Sequence, residues 1–297
     1  MTRADDDSWD LATGVGATAT AVATSRALAT RAGTIDDPWA EPLVRAVGAE
    51  HFLAILDGGQ SPDSADVDRL ARGMVVRTRY FDDFALGCAA AGIRQTVILA
   101  CGLDSRGHRL AWPAGSVVFD VDQPAVVEFK AATLTELGAT STARVHPIGV
   151  DLRDDWPAAL TAGGFDPNLP TAWIAEGLLM YLPPQAQDRL FDHITALSAP
   201  GSRLATEFMP SMDVFTEEPN TAGPEQDRWR RMGFQDGLAG LVYAGDRSHV
   251  VTYLTDLGWE VTSSLIEELF AANGFDLPDE EMSQAFAGYQ YITAALG

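Results

Sequence analysis

What the chain lacks narrows its function first. Its 297 residues include only two cysteines, Cys88 and Cys101. Cys101 ends an apolar run, so no disulfide framework is expected and a reducing, cytoplasmic setting is. Positive charge is scarce, with 20 lysines and arginines against 42 aspartates and glutamates, a net charge of −22. A field of that sign serves solubility and disfavours nucleic acid and anionic membranes as partners. No apolar run reaches the roughly eighteen residues of a membrane span. The opening MTRADDDSWD is acidic and has no apolar centre, so it is not expected to be a signal peptide. The histidines at 51, 108, 146, 193 and 249 lack metal-ligand spacing. A serine hydrolase is excluded by the missing G-x-S-x-G elbow. No repeat of fixed period and no long flexible linker interrupts the chain.

What is present changes texture near Gln95. Before it, "GATATAVATSRALATRAG" is alanine-rich, and "DRLARGMVVRTRYFDDFALGCAAAG" carries apolar residues at helical spacing until Gly92. Between them "IDDPWAEPLV" punctuates a turn that opens a helix. After Gln95, apolar runs at 96–101, 116–122, 143–151, within 171–182 and at 202–209 predict strands, with helices at 105–111, 123–137, 153–162 and 184–198. Near-continuous apolar strands alternating with helices predict an α/β fold, a parallel sheet covered on both faces. Residues 210–245 break that rhythm and are expected to be an insertion over the sheet edge. A helix at 248–257, "GWEVTSS", a helix at 265–273 and a last strand "YQYITAAL" complete the chain.

The loop "VILACGLDSRGHRL" joins the first of these strands to a helix. Ligands of doubly wound sheets sit beyond such strand ends. A pyrophosphate needs several glycines and a bare helix N-terminus, because a dianion must approach the backbone. Here the chain offers Gly102 and then Asp104. A carboxylate there repels phosphate but tolerates a cationic, phosphate-free ligand such as S-adenosylmethionine, which disfavours a nicotinamide-dependent oxidoreductase. Asp122 ends the second strand 20 residues after Gly102, a spacing that suits a carboxylate accepting from ribose hydroxyls. Asp120 shares its face but does not reach the tip. Asp151, in "GVDL", can accept from an adenine amino group with Leu152 against the ring, or can cap the following helix. Glu176, in "AEGLLMYLP", leaves the fourth strand beside the expected methyl donor. Four such signs at consecutive strand ends point to a nucleoside site.

From about Arg26 onward the chain resembles the leucine carboxyl methyltransferase family, in its actinobacterial, largely mycobacterial S-adenosylmethionine-dependent branch. The resemblance rests on "DDPWAEPLV", "RTRYFDDF", "LACGLDSRGHRL", "FDVDQP", "GVDLRDDWP" and "AEGLLMYLP". It implies a class I methyltransferase (Rossmann-like) fold of seven strands with the last reversed, which "YQYITAAL" fits. It divides the chain into an N-terminal helical lid, 1–92, and an S-adenosylmethionine-binding domain, 93–297, with a cap insertion at 210–245. It assigns cofactor contacts to Gly102, Asp122, Asp151, Leu152 and Glu176. It further implies that an arginine before an aromatic pair holds the methionine carboxylate, at Arg77 with Arg79 competing. A second basic residue falls at Arg26. Relatives often carry Gly-x-Gly where this chain has Ala100-Cys101-Gly102.

The expected reaction is O-methylation of a carboxylate on a small molecule or peptide terminus, since a carboxylate with a pKa of about 4 is ionised at neutral pH and needs no base. A hydroxyl acceptor would need one, such as His249 or Glu176. A non-catalytic adenosyl-nucleoside-binding protein is the alternative from another class. No catalytic residue is named by the sequence. For the acceptor, Arg228, Trp229 and Arg231 are the candidates, in the one basic cluster of the insertion. The plainer reading of that cluster, and the favoured one, is a helix face paired with Glu225 and Asp227.

Overall fold

The computed structural model describes residues 11–58, 64–210, 241–243, 245–276 and 288–297, with residues 64–71 as backbone only. Seven strands form one sheet: β1 (Gln95–Leu99), β2 (Val117–Asp122), β3 (Arg144–Gly149), β4 (Thr171–Ala175), β5 (Arg203–Phe208), β6 (Trp259–Leu265) and β7 (Gln290–Leu296). Their order is β3-β2-β1-β4-β5-β7-β6. The β1–β2, β1–β4, β2–β3 and β4–β5 pairs are parallel, and β7 runs antiparallel to both β5 and β6. The chain reverses its winding between β1 and β4, so the strand ends open a crevice there.

Alternation along the strands feeds two cores. Val97, Leu99, Phe119, Val121 and Trp173 point into one, Val118, Ile98 and Ile174 into the other. The first core is closed by α7 (Trp156–Ala162), α8 (Pro184–Ala196) and α9 (Val250–Asp256), through Trp156, Phe191, Ile194 and Leu254. The second is closed by α4 (Ser64–Ala90) and α6 (Pro124–Glu136), through Phe81, Ala85 and Val127. The remaining helices are α1 (Gly16–Arg31), α2 (Ala40–Val47), α3 (Glu50–Leu56), the single turn α5 (Arg106–Arg109) and α10 (Ile266–Ala272).

The N-terminal helices belong to the same body. Ala23 and Ala27 of α1 and Leu43 and Val44 of α2 pack with Leu103 of the β1 loop and with Val126 and Leu134 of α6. Helix α1 is built of small residues, so its backbone comes close to that loop. Among the described residues, no helix is long and apolar enough to cross a membrane. Both cysteines are free and buried.

Candidate active site

One cavity lies at the carboxyl ends of β1, β2, β4 and β5, walled on its outer side by α1. Gly102, Asp104, Asp122, Glu176, Arg26 and Arg77 all line it. A smaller pocket continues from it past Ala100 and Asp122, lined by Asp151 and Leu152. Residues far apart in sequence thus converge because each leaves a neighbouring parallel strand or faces one from α1 or α4. Arg228, Trp229 and Arg231 lie outside the described residues.

Two backbone features shape the turn after β1. Gly102 has φ +47, and a Cβ there would meet Ala19 Cβ of α1 at 2.8 Å. Ala100 also adopts a left-handed φ, +51, and is the only such non-glycine residue described. A conformation that glycine adopts freely is held here by alanine, at a cost of roughly 1–2 kcal/mol.

At the β2 end of the cavity Asp122 is a carboxylate with no described ion-pair partner. Asp122 accepts from Gly102 N–H and from Gln123 N–H, each at 2.7 Å. Burial pushes its carboxyl above the usual range, and these two amides only partly oppose that. Its neighbour Asp120 is paired with Lys130, the chain's single lysine, at 2.8 Å. Lys130 Nζ also donates to Asp104 O at 2.9 Å, bracing the loop from below. Asp151 accepts from Gln123 Nε2 at 2.5 Å and from Arg153 Nη2 at 2.7 Å. Burial alone would raise its carboxyl, but Arg153 and Gln123 hold it below the usual range. It does not cap the next helix. Asp155 does so, accepting from Ala158 N–H, because α7 begins only at Trp156.

The opposite end is dense in paired charge. Glu176 bridges two arginines, Arg77 Nε at 2.9 Å and Arg106 Nη1 at 2.6 Å. Arg77 Nη2 reaches Glu207 Oε1 at 2.7 Å. Glu207 also accepts from Gly177 N–H at 3.0 Å and from the Tyr289 hydroxyl. Burial, with Glu176 nearby, pushes the Glu207 carboxyl up against the pull of Arg77. Gly177 has φ +62, and a Cβ there would collide with Arg77 Nη2, so glycine lets the guanidinium lie flat on the turn.

Asp104 is not an open carboxylate. Arg106 takes it through both its backbone N–H, at 2.6 Å, and its guanidinium. Burial would raise it, but Arg106 first and Arg26 and Lys130 after it hold it well below the usual range. Arg26 pairs with Asp37 at 2.8 Å and donates to Leu103 O at 2.7 Å. Asp37, from the Asp-Pro turn, also accepts from Ser105 Oγ at 2.6 Å and caps α2 through Ala40 N–H. Neither Arg26 nor Arg77 has a described partner for Nη1, and both line the cavity. Arg79 instead faces away, donating to Asn273 Oδ1 and Thr34 O. Among the arginines that compete in sequence, Arg77 is therefore the one at the cavity.

Arg106, Glu207 and Tyr289 escaped the sequence reading. Arg106 is 1% exposed yet sits among residues that read as a helix start. Glu207 occupies one position of an apolar strand, and its partner Arg77 is distant in sequence. The pairing of Asp104 with Arg106 and Arg109 in "LDSRGHR" is the one signal that could have flagged Arg106.

Comparison with known proteins gives the family of the chain. Residues 19–195 match the leucine carboxyl methyltransferase family. A protein of Mycobacterium avium (strain 104), called a "Putative S-adenosyl-L-methionine-dependent methyltransferase", is 54% identical over 299 residues covering 100% of both chains. One of the same name from Mycobacterium bovis (strain BCG / Pasteur 1173P2) is 52% identical over 100% of this chain and 99% of its own. A methyltransferase-like crystal structure from Thermobifida fusca superposes with a TM-score of 0.53 at 19% identity, covering 97% of each chain, and shares the seven-stranded fold. The chain belongs to the leucine carboxyl methyltransferase family.

Proposed function

We propose that the protein transfers a methyl group from S-adenosylmethionine to a carboxylate oxygen of a small molecule or peptide terminus. The cavity suits that donor along its whole length. Asp122 has lone pairs for ribose hydroxyls, and Leu152 and Asp151 flank the space for adenine. The bare Gly102 leaves backbone close to the nucleoside. Arg77 and Arg26 present their unpartnered Nη1 groups to the methionine carboxylate, a planar acceptor that guanidinium forks suit. When bound, the sulfonium supplies an electrophilic methyl group.

One observation carries the carboxylate reading. Both acids at the methyl-donor end are already engaged, Glu176 by two arginines and Glu207 by an arginine, an amide and a tyrosine. Each acid's oxygens are taken up by these donors, so neither presents a free oxygen to an acceptor hydroxyl. His249, the other sequence candidate, packs on Phe208 with ring centroids 4.8 Å apart and does not line the cavity. A carboxylate acceptor needs no base, and the enzyme's work is then alignment and exclusion of water. Oxygen attacks the methyl carbon as the carbon–sulfur bond breaks, giving a methyl ester and adenosylhomocysteine.

The test is incubation with labelled S-adenosylmethionine and a panel of carboxylic acids, followed by mild alkali. Methyl esters release volatile labelled methanol, whereas methyl ethers and methylamines do not. Label that stays in base-stable product would overturn the carboxylate assignment. Tight binding with no adenosylhomocysteine formed from any acceptor would favour a non-catalytic nucleoside-binding protein.

A further inference from the structure

Beside the donor cavity, and sharing Gly177, Leu178, Met180 and Glu207 with it, lies a second chamber lined by Gln187, Phe208, Arg247 and Tyr289. It sits at the carboxyl ends of β4 and β5 and the start of β7, on the far side of Glu207 from the ribose. Nothing in the donor reading uses it.

Arg247 is the unusual member. Its guanidinium is gripped by neutral acceptors only. Nη1 donates to Leu179 O at 2.8 Å and Gln187 Oε1 at 3.1 Å. Nη2 donates to Tyr243 O at 2.9 Å and Leu182 O at 3.3 Å. The remaining donor, Nε–H, is buried without an acceptor. No described carboxylate forms an ion pair with it. Asp188, the acid whose charge acts on it, is bonded to Ser248 Oγ at 2.9 Å instead. A partly buried cation with no described ion-pair partner is costly to keep unless an anion arrives. Every other arginine of the site, Arg26, Arg77 and Arg106, has a carboxylate within 3 Å.

We infer that this chamber receives the acceptor's carboxylate and that Arg247 is its anchor. The inference rests on the proposed function and deepens it. Four carbonyl contacts fix the guanidinium in place, so the group is preorganised and little is lost in ordering it. With Nη1 and Nη2 occupied, one N–H remains for the ligand. Arg247 therefore suits a single contact to one carboxylate oxygen, leaving the other oxygen with its lone pairs for the methyl group. A bidentate arginine would quench both. Glu207, between the two spaces, has its own charge taken up by Arg77 and Tyr289, which limits its repulsion of an incoming anion. Leu178, Met180 and Phe208 give apolar walls to a space of about 20 Å³, room for the carboxylate end of the acid, whose remainder lies outside the chamber.

The probe is benzoate, with benzamide as its neutral isostere, titrated by calorimetry into protein saturated with adenosylhomocysteine. Benzoate is expected to bind, and benzamide at least tenfold more weakly. Arg247→Gln should weaken benzoate tenfold or more while adenosylhomocysteine affinity stays within twofold. Arg247→Lys, which keeps the charge but not the fork, should fall between. Equal binding of benzoate to Arg247→Gln and wild type overturns the inference, as does equal binding of benzamide or no binding of benzoate at all. Loss of adenosylhomocysteine binding in both variants also overturns it, because Arg247 is then a brace for the Leu179–Leu182 turn. Failure of wild-type protein to bind adenosylhomocysteine is a separate result, which removes the donor reading itself.

Discussion

The two ends of the donor cavity hold acids in opposite ways. At the ribose end, Asp122 has only backbone amides for partners, and burial leaves its carboxyl above the usual range. At the methionine end, Glu176 and Glu207 are interleaved with Arg77 and Arg106. The proposed ligand would account for the contrast. Ribose offers neutral hydroxyls, which bind best to a carboxylate not already spoken for by a cation. The amino-acid end brings its own charges, and there the protein's charges are balanced in advance. Binding then exchanges one set of pairings for another instead of opening an unpaired buried charge.

The largest break in this contrast is Arg77→Met. It leaves two buried acids facing each other with only Arg106 near Glu176. Removing one partner of a buried ion pair costs roughly 3–5 kcal/mol. The variant should unfold at clearly lower denaturant concentration, and its S-adenosylmethionine affinity should fall by a hundredfold or more by calorimetry. Retention of wild-type affinity would mean that the arginine serves the two glutamates alone. Arg79→Met, which removes contacts to Asn273 and Thr34, should leave affinity within about threefold.

Asp122→Ala comes next. Hydrogen bonds to a charged acceptor contribute roughly 1.5–3 kcal/mol each, so affinity should drop tenfold or more. The sign of the pH dependence sharpens this. Ribose hydroxyls donate to the ionised form, so affinity should be full above the raised pKa of Asp122 and fall as pH drops through it. That fall begins above the ordinary carboxylate value of about 4. Asp122→Asn should be weak and flat across the same window. Stability of the free protein should move the other way there, since a carboxyl whose folded pKa is raised binds its proton more tightly when folded. Asp37 and Asp104, held below their usual range, contribute stability that is lost only as pH falls further. Calorimetry and thermal unfolding between neutral pH and pH 4 separate the two trends.

The same contrast explains what could be read from sequence. The sheet and the place of Asp122 at the end of β2 were legible because both follow local rules. Near-continuous apolar runs predicted β1 to β5 within a few residues, and the Gly102–Asp122 spacing placed a carboxylate at the second strand's tip. The methionine end depends on contacts between α4, β5 and β7, and no local pattern couples Arg77 to Glu207 or Glu207 to Tyr289. Asp37 lay between. Its turn-forming role was readable, but its burial against Arg26 and Ser105 requires α1 to fold over the β1 loop. Asp104 shows the limit of reading charge alone. The sequence presents an acid to the ligand, whereas the folded loop ties it to Arg106 two residues on.

A smaller effect is expected where the adenine sits. Asp151 is partly exposed and shared with Arg153, so one hydrogen bond to it is a surface interaction of roughly 1 kcal/mol. Asp151→Asn should weaken S-adenosylmethionine three- to sixfold. A change as large as that of Asp122→Ala would make the adenine end as dependent on charge as the ribose end.

The smallest effect concerns Ala100, at the junction of the ribose and adenine spaces. Its φ of +51 is disfavoured for any residue with a Cβ. Glycine would relieve roughly 1–2 kcal/mol of strain. It would also loosen the unfolded chain, which costs about 0.4–1 kcal/mol. The two nearly offset, so Ala100→Gly should change stability by at most about 1 kcal/mol, toward the stable side. Loss of one methyl from the cavity wall should alter cofactor affinity by no more than about fivefold. Ala100→Val tests the same backbone from the other direction, because a β-branched side chain is worse in this region and would also crowd the wall. It should destabilise by more than Ala100→Gly stabilises, and the pair measured together by chemical denaturation isolates the turn. A clear loss of stability in Ala100→Gly would show that the methyl group's packing against Leu178 and the core outweighs the strain. The alanine would then be holding the junction of the two spaces in shape, and its strained backbone would be a gain in packing, not a tolerated defect.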